Sequence, residues 1–173
     1  MMRKPNFNGN MIYEITELKQ YYKKRKEERF TINSPLKIQE FLRSWIGNRT
    51  SEHFVMLGLN TKNEVIVCYE VFKGTVNSSI IHPREAFCTA IINNCSSVVF
   101  CHNHPSSTSD FSIPDVETAK RLQEVGNIIG IEMLDFCVVT DEEFSSLREK
   151  GVINQPKFFI YTGVNNTCIY NTI

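Results

Sequence analysis

Residues 101–115 read CHNHPSSTSDFSIPD, and they place His102 and His104 two residues apart in a chain that has four histidines. Alternate residues of a β-strand project to the same side, so an H-x-H pair at a strand end presents two imidazoles together. Two imidazoles make half of a tetrahedral zinc site. Asp115 follows His104 after ten intervening residues, in the first turn of an expected helix, from which its carboxylate can fold back as a third ligand. Two histidines and one carboxylate leave a fourth position open, the pattern of a catalytic rather than a structural zinc. A metal held this way lowers the pKa of its water toward about 7 and supplies a hydroxide nucleophile.

Such chemistry also requires a general base. Glu70, in VCYEVFKG, is a carboxylate amid apolar neighbours on an expected strand. Glu85, in HPREAF, falls in the first turn of an expected helix, where the helix dipole alone accounts for an acidic residue. Glu70 is the better candidate on these grounds. Each residue also has a purely structural explanation. Ser112 to Asp115 fits an S-x-x-D capping box. Glu70 could pair with a lysine or arginine across a sheet, His82 and Arg84 could form a helix entry and a surface charge, and His53 reads as ordinary. The metal reading draws its force from the combination: two histidines, a polar loop, an acid at a helix start and a strand glutamate upstream.

The elements that must position these residues follow from patterning. NSPLKIQEFLRSWIG reads as a helix, with Ser34 as N-cap, Pro35 in the first turn, an apolar stripe through Leu36, Ile38, Phe41, Leu42, Trp45 and Ile46, and Gly47 at its close. HFVMLGL and VIVCYEVF are β-rich runs joined by the turn NTKNE, a hairpin pattern. HPREAFCTAIINN reads as a helix from near Pro83, SSVVFCHN as a short buried strand, PDVETAKRLQEVG as an amphipathic helix ending at Gly126, and IEMLDFCVVT as another strand. DEEFSSLREKG reads as a short helix, and KFFIYTGV with TCIYNTI as a closing pair of strands or a docking tail. Alternating strands and helices predict an α/β domain with a mixed or largely parallel sheet. The H-x-H pair then lies at the carboxyl end of a strand, where open α/β sheets build their sites.

The chain of 173 residues suits one domain with an appendage. Residues 1–49 are assigned to a helical N-terminal extension and 50–173 to the domain. Within the extension, KKRKEER is a solvated face whichever way the segment folds. The 19 Lys and Arg balance the 19 Asp and Glu, which does not support the basic footprint of a nucleic-acid binder. Six cysteines with no CxxC pairing, most of them within apolar runs, point to a reduced protein. Neither an apolar stretch of a secretory signal nor one of membrane-spanning length is visible. The expected compartment is the cytoplasm.

Glu70, His102-Asn103-His104, ten residues and Asp115 together resemble the JAMM, or MPN+, metalloprotease pattern, with Ser112 at the position of that family's serine. EVFKGTVNSSIIHPREAF, VVFCHNHPSS and GIEMLDFCVV narrow the resemblance to the RadC-like branch, often labelled DNA repair protein RadC, across roughly residues 50–151. The resemblance implies a three-layer α/β/α, cytidine-deaminase-like fold. It implies zinc on His102, His104 and Asp115, Glu70 as general acid and base, and Ser112 holding the oxyanion of a tetrahedral intermediate. Ser107 stands where the family loop usually has glycine, Phe111 where it has proline before the serine, and Phe136 where it often has histidine. None of the three is a proposed ligand. The first 50 residues show no glycine-rich hairpin like the helix-hairpin-helix region of longer members.

The expected activity is hydrolysis of an amide, peptide or isopeptide bond. A nucleobase deaminase would need H-x-E and a downstream P-C-x-x-C; position 104 is histidine and there is no CxxC. A two-metal nuclease would call for more acidic ligands. The remaining alternative is a non-catalytic binding or scaffold module associated with DNA repair or processing.

Overall fold

A five-stranded mixed sheet with helices on both faces organises the chain. The structure is a computed structural model and describes residues 30–74, 81–106 and 108–153. The strands are β1 (Glu52–Leu59), β2 (Val65–Gly74), β3 (Ser97–Asn103), β4 (Glu132–Val139) and β5 (Phe144–Ser146), in the order β2-β1-β3-β4-β5. β1 runs antiparallel to both β2 and β3, β3 and β4 are parallel, and β5 returns antiparallel to β4. The helices are α1 (Pro35–Leu42), prolonged by a π-helical turn over Arg43–Gly47, α2 (Pro83–Ile92) and α3 (Ile113–Ile129).

Strand alternation divides the core in two. Phe54 and Met56 of β1, with Val98 and Phe100 of β3, pack against Ala86, Phe87 and Ala90 of α2 and Ala119 and Leu122 of α3. Val55, Leu57 and Leu59, with Val99, Cys101, Cys137 and Val139, face the other way, onto Ile38 and Leu42 of α1 and Ile46 of the π turn. The result is the α/β/α layering expected from the sequence. All seven residues of β3 are buried, in line with the expected short buried strand, and its apolar run Val98–Cys101 suits a strand covered on both faces. Residues 1–29 of the expected helical extension and both expected closing strands after 153 lie outside the described residues.

The hairpin turn is built by Asn60, whose side-chain oxygen accepts from the amides of Lys62 (2.9 Å) and Glu64 (3.0 Å). Asn63 takes a left-handed conformation, φ 56°, which asparagine tolerates better than most residues. Helix α3 runs past its expected end. Gly130, φ 74°, supplies the left-handed C-cap. Gly126 instead marks close packing, since a Cβ there would stand 2.6 Å from the carbonyl oxygen of Ile131.

Residues 141–151 are a correction: they form a turn, β5 and further turns rather than a short helix. Tertiary bonds override the local helix signal. The buried Asp135 carboxylate accepts from the Ser146 hydroxyl (2.6 Å) and the Arg148 amide (3.2 Å), and the Leu147 amide donates to the Phe136 carbonyl (3.0 Å). No helix among the described residues is long and apolar enough to cross a membrane.

Gly126→Ala should lower stability by about 1–2 kcal/mol in urea denaturation, because backbone cannot yield to the added methyl as a side-chain tip can. A variant as stable as the wild type would show that α3 does not press on β4 there.

Candidate metal centre

The carboxyl end of β3 delivers the H-x-H pair. His102 faces the α2–α3 side, its ring 6.3 Å from that of Phe54 and 5.6 Å from that of Phe136. His104 lies one residue beyond the strand. The two Nε2 atoms point at one another across 2.8 Å. The Nδ1–H of His104 donates to the Thr108 carbonyl at 2.9 Å. A carbonyl can only accept, so Nδ1 carries the proton and, in the neutral ring, the lone pair of His104 is on Nε2. Two nitrogen lone pairs at this distance repel unless a proton or a cation lies between them. The Nδ1 of His102 is buried without a partner among the described residues.

Asp115 reaches this pair from the first turn of α3. Its two carboxylate oxygens lie 3.3 Å from the Nε2 of His102 and 3.7 Å from that of His104. Four ligands at about 2.0–2.1 Å from a tetrahedral zinc sit roughly 3.3–3.4 Å apart, and the observed donor spacings of 2.8, 3.3 and 3.7 Å bracket that value. Ser112 caps α3 in a full capping box. Its hydroxyl also donates to Asp115 at 2.7 Å. The helix cap and the approach to the histidines are therefore compatible, and Asp115 does both. Burial alone would raise its pKa, but the hydrogen bond and charge of His102 and the two bonds from Ser112 outweigh it and hold the carboxyl at about 2.

A second carboxylate stands at the same place, and the sequence reading did not find it. An oxygen of Glu52 and a ring nitrogen of each histidine lie within 4.8 Å of one another. Glu52 opens β1 and shares the face of Phe54, whose backbone is paired with His102. Its signal in the sequence was an acidic residue in step with Phe54 and Met56, legible only once the register of β1 on β3 is known. Asp115 makes the shorter approaches of the two carboxylates.

Glu70 is not brought to the histidines. Its register partner is Val55, on the α1 face of the sheet. Its carboxylate bonds the Nδ1 of His53 at 2.6 Å, and the Nε2 of His53 lies 3.0 Å from the Ser51 hydroxyl. His53, buried to 4% exposure, is therefore a partner of Glu70 rather than an isolated side chain. Glu85 remains exposed and pairs with Arg84 at 3.1 Å. His82 caps α2 by accepting from the Arg84 amide.

Asn103, between the two histidines, is fully buried. Its side-chain oxygen accepts the His53 amide at 2.7 Å, and its Nδ2 donates to the carbonyls of Arg49 (3.1 Å) and Ser51 (3.0 Å). The residues on either side of Glu52 are thus tied to the residue between the two histidines.

A family model described as the RadC-like JAB domain matches residues 32–152. The chain belongs to this family. The matched span takes in α1 and every strand and helix around the histidines. The chain is 46% identical over 132 residues to the UPF0758 protein YsxA of Bacillus subtilis (strain 168), covering 76% of this chain and 57% of that protein. It is 40% identical over 143 residues to a UPF0758 protein of Clostridium botulinum (strain Okra / Type B1), covering 82% and 63%. With UPF0758 protein GK2618 of Geobacillus kaustophilus (strain HTA426) the identity is 44% over 126 residues, covering 73% and 56%. The chain thus spans about three fifths of the length of these relatives, and their names state no activity. The chain's membership of the family and the group formed by Glu52, His102 and His104, which could hold a metal ion, are consistent with metal binding.

The depressed pKa of Asp115 sets a stability window in the metal-free protein. The carboxylate contributes stability above its unfolded pKa, near 3.8, and this is lost as pH falls through about 2. Asp115→Asn should therefore unfold at lower denaturant than the wild type at pH 6, by about 2 kcal/mol. The gap should close as pH is lowered from 4 toward 2; a gap independent of pH would contradict the charge-based account.

Proposed function

We propose that the chain is a zinc-dependent hydrolase acting on an amide carbonyl, of the peptidase or isopeptidase type. The observation that carries this is the convergence of the His102 and His104 Nε2 atoms, 2.8 Å apart, with the Asp115 carboxylate against both. His102, His104 and Asp115 would hold the ion, which when bound activates water and polarises a carbonyl oxygen.

The chain's own groups have distinct tasks. The Thr108 carbonyl keeps the His104 proton on Nδ1 and the Nε2 lone pair free. Glu52, with an oxygen within 4.8 Å of a ring nitrogen of each histidine, would take a proton on its carboxylate and return it to a leaving nitrogen. This assigns to Glu52 the general-base role that the sequence favoured for Glu70. Glu70 supports β1 from the opposite face through His53. The Ser112 hydroxyl, now donating to Asp115, stands one helical turn from the site and could redirect its proton to a developing oxyanion. The five described cysteines are free thiols, which supports a reducing compartment such as the cytoplasm.

Elemental analysis should find about one zinc per chain in the wild type and little in Asp115→Ala. A zinc-loaded screen of peptide and isopeptide substrates then separates the two glutamates. Glu52→Gln should keep the metal and lose hydrolysis by a factor of about 10² or more, whereas Glu70→Gln should keep both metal and turnover. Hydrolysis abolished by Glu70→Gln but not by Glu52→Gln would reverse the assignment, and a wild type that takes up no zinc would remove the hydrolase reading.

A further inference from the structure

We propose that Glu143, Ser109 and Ser145 form a latch that sets the Thr108 carbonyl against His104 and so tunes metal affinity from outside the ligand set. The inference rests on the metal reading above and extends it to residues to which no role has been assigned.

The His104 amide donates to the Val139 carbonyl of β4 at 3.3 Å, which holds its backbone but leaves its ring to be oriented by other contacts. Its orientation depends on the bond from Nδ1–H to the Thr108 carbonyl, 2.9 Å. Thr108 lies in the loop between β3 and α3, and the next residue ties it down. Ser109 is polar yet buried to 7% exposure. Its amide donates to the Glu143 carboxylate at 2.9 Å, and its hydroxyl shares a hydrogen bond with Ser145 at 3.1 Å. Buried without these partners, its amide and hydroxyl would be left unsatisfied, so the loop is held where they are.

The other half of the latch is itself anchored. The Glu143 amide donates to the Thr140 hydroxyl at 2.8 Å, and its carbonyl accepts the Thr140 amide at 2.9 Å. Ser145 pairs with Val138 in the β4–β5 ladder, and Asp135 bonds Ser146 and Arg148 just beyond it. The path from the buried Asp135 to the His104 ring is therefore a continuous series of hydrogen bonds and covalent links. In metal sites, the partner of the distal imidazole N–H fixes ring orientation and tautomer, and its loss typically weakens metal binding by 10–100-fold. Glu143 and Ser109 are positioning residues in this sense, since neither touches the metal ligands directly.

Two readouts test the latch on the full chain. The first is zinc affinity, measured by competition of Zn2+ alone with a chromophoric chelator. Glu143→Ala and Ser109→Ala should bind zinc about tenfold more weakly. Glu143→Gln, whose amide oxygen still accepts the Ser109 N–H, should stay within about threefold of the wild type. Gly126→Ala, destabilised at a point remote from the loop, should bind as the wild type does. Unchanged affinity in Glu143→Ala, or equal weakening in Gly126→Ala, would overturn the proposal. The second readout is the 15N chemical shifts of the His104 ring in metal-free protein. The Nδ1-protonated tautomer should dominate in the wild type and give way to a mixture in Glu143→Ala. A wild type that binds no zinc would end the metal reading, while this tautomer comparison would still decide the latch: an unchanged ring in Glu143→Ala would refute it.

Discussion

The side-chain amide of Asn103 bonds the backbone on either side of Glu52, at Ser51 and His53, and reaches Arg49 beyond them. It does so from a fully buried position between His102 and His104. An amide is the smallest side chain that both donates twice and accepts, and here both capacities are used. The start of β1 and the end of β3 consequently cannot move independently. With that join in place, the histidines and Glu52 emerge on one face of the sheet, and α3 needs to contribute just Asp115 to surround the point where the two Nε2 atoms meet.

Which face a residue takes is decided by parity along the strands, and parity separates the two glutamates. Glu52 is in step with Phe54, Met56 and, across the ladder, His102. A bulge in β2 between the partners of Phe54 and Val55 resets its alternation, and Glu70 emerges opposite Val55 on the α1 face. There it meets His53, the residue directly after Glu52. The two carboxylates thus bear on β1 from opposite sides, one facing the histidines and the other bonded to the strand's own imidazole.

The sequence was informative where local patterning and tertiary structure agree. Ser34, Pro35 and Ser112 announced helix starts because capping is a short-range interaction, and the apolar run of 98–101 announced a buried strand because both its faces are covered. Asp115 was legible because its distance from His104 spans a loop and one helical turn. Legibility failed where long-range bonds decide. β5 is a three-residue strand in a charged stretch, held by a buried aspartate from another strand, and nothing within 141–151 signals that anchor. Glu70 drew attention as an acid among apolar residues, yet its partner was His53, which carried no distinguishing pattern. Glu52 required the register of two antiparallel strands, which local sequence patterning did not reveal.

The central claim is that His102, His104 and Asp115 share one metal ion with Glu52 beside it. Anomalous diffraction at the zinc edge, on crystals of the zinc-loaded protein, tests this most directly. The account predicts one strong peak about 2.0–2.2 Å from the Nε2 atoms of both histidines and from an Asp115 oxygen, with Glu52 on the same side of the sheet and outside bonding distance. A peak bound by Glu52 in place of Asp115, or no peak at the histidines, would contradict it.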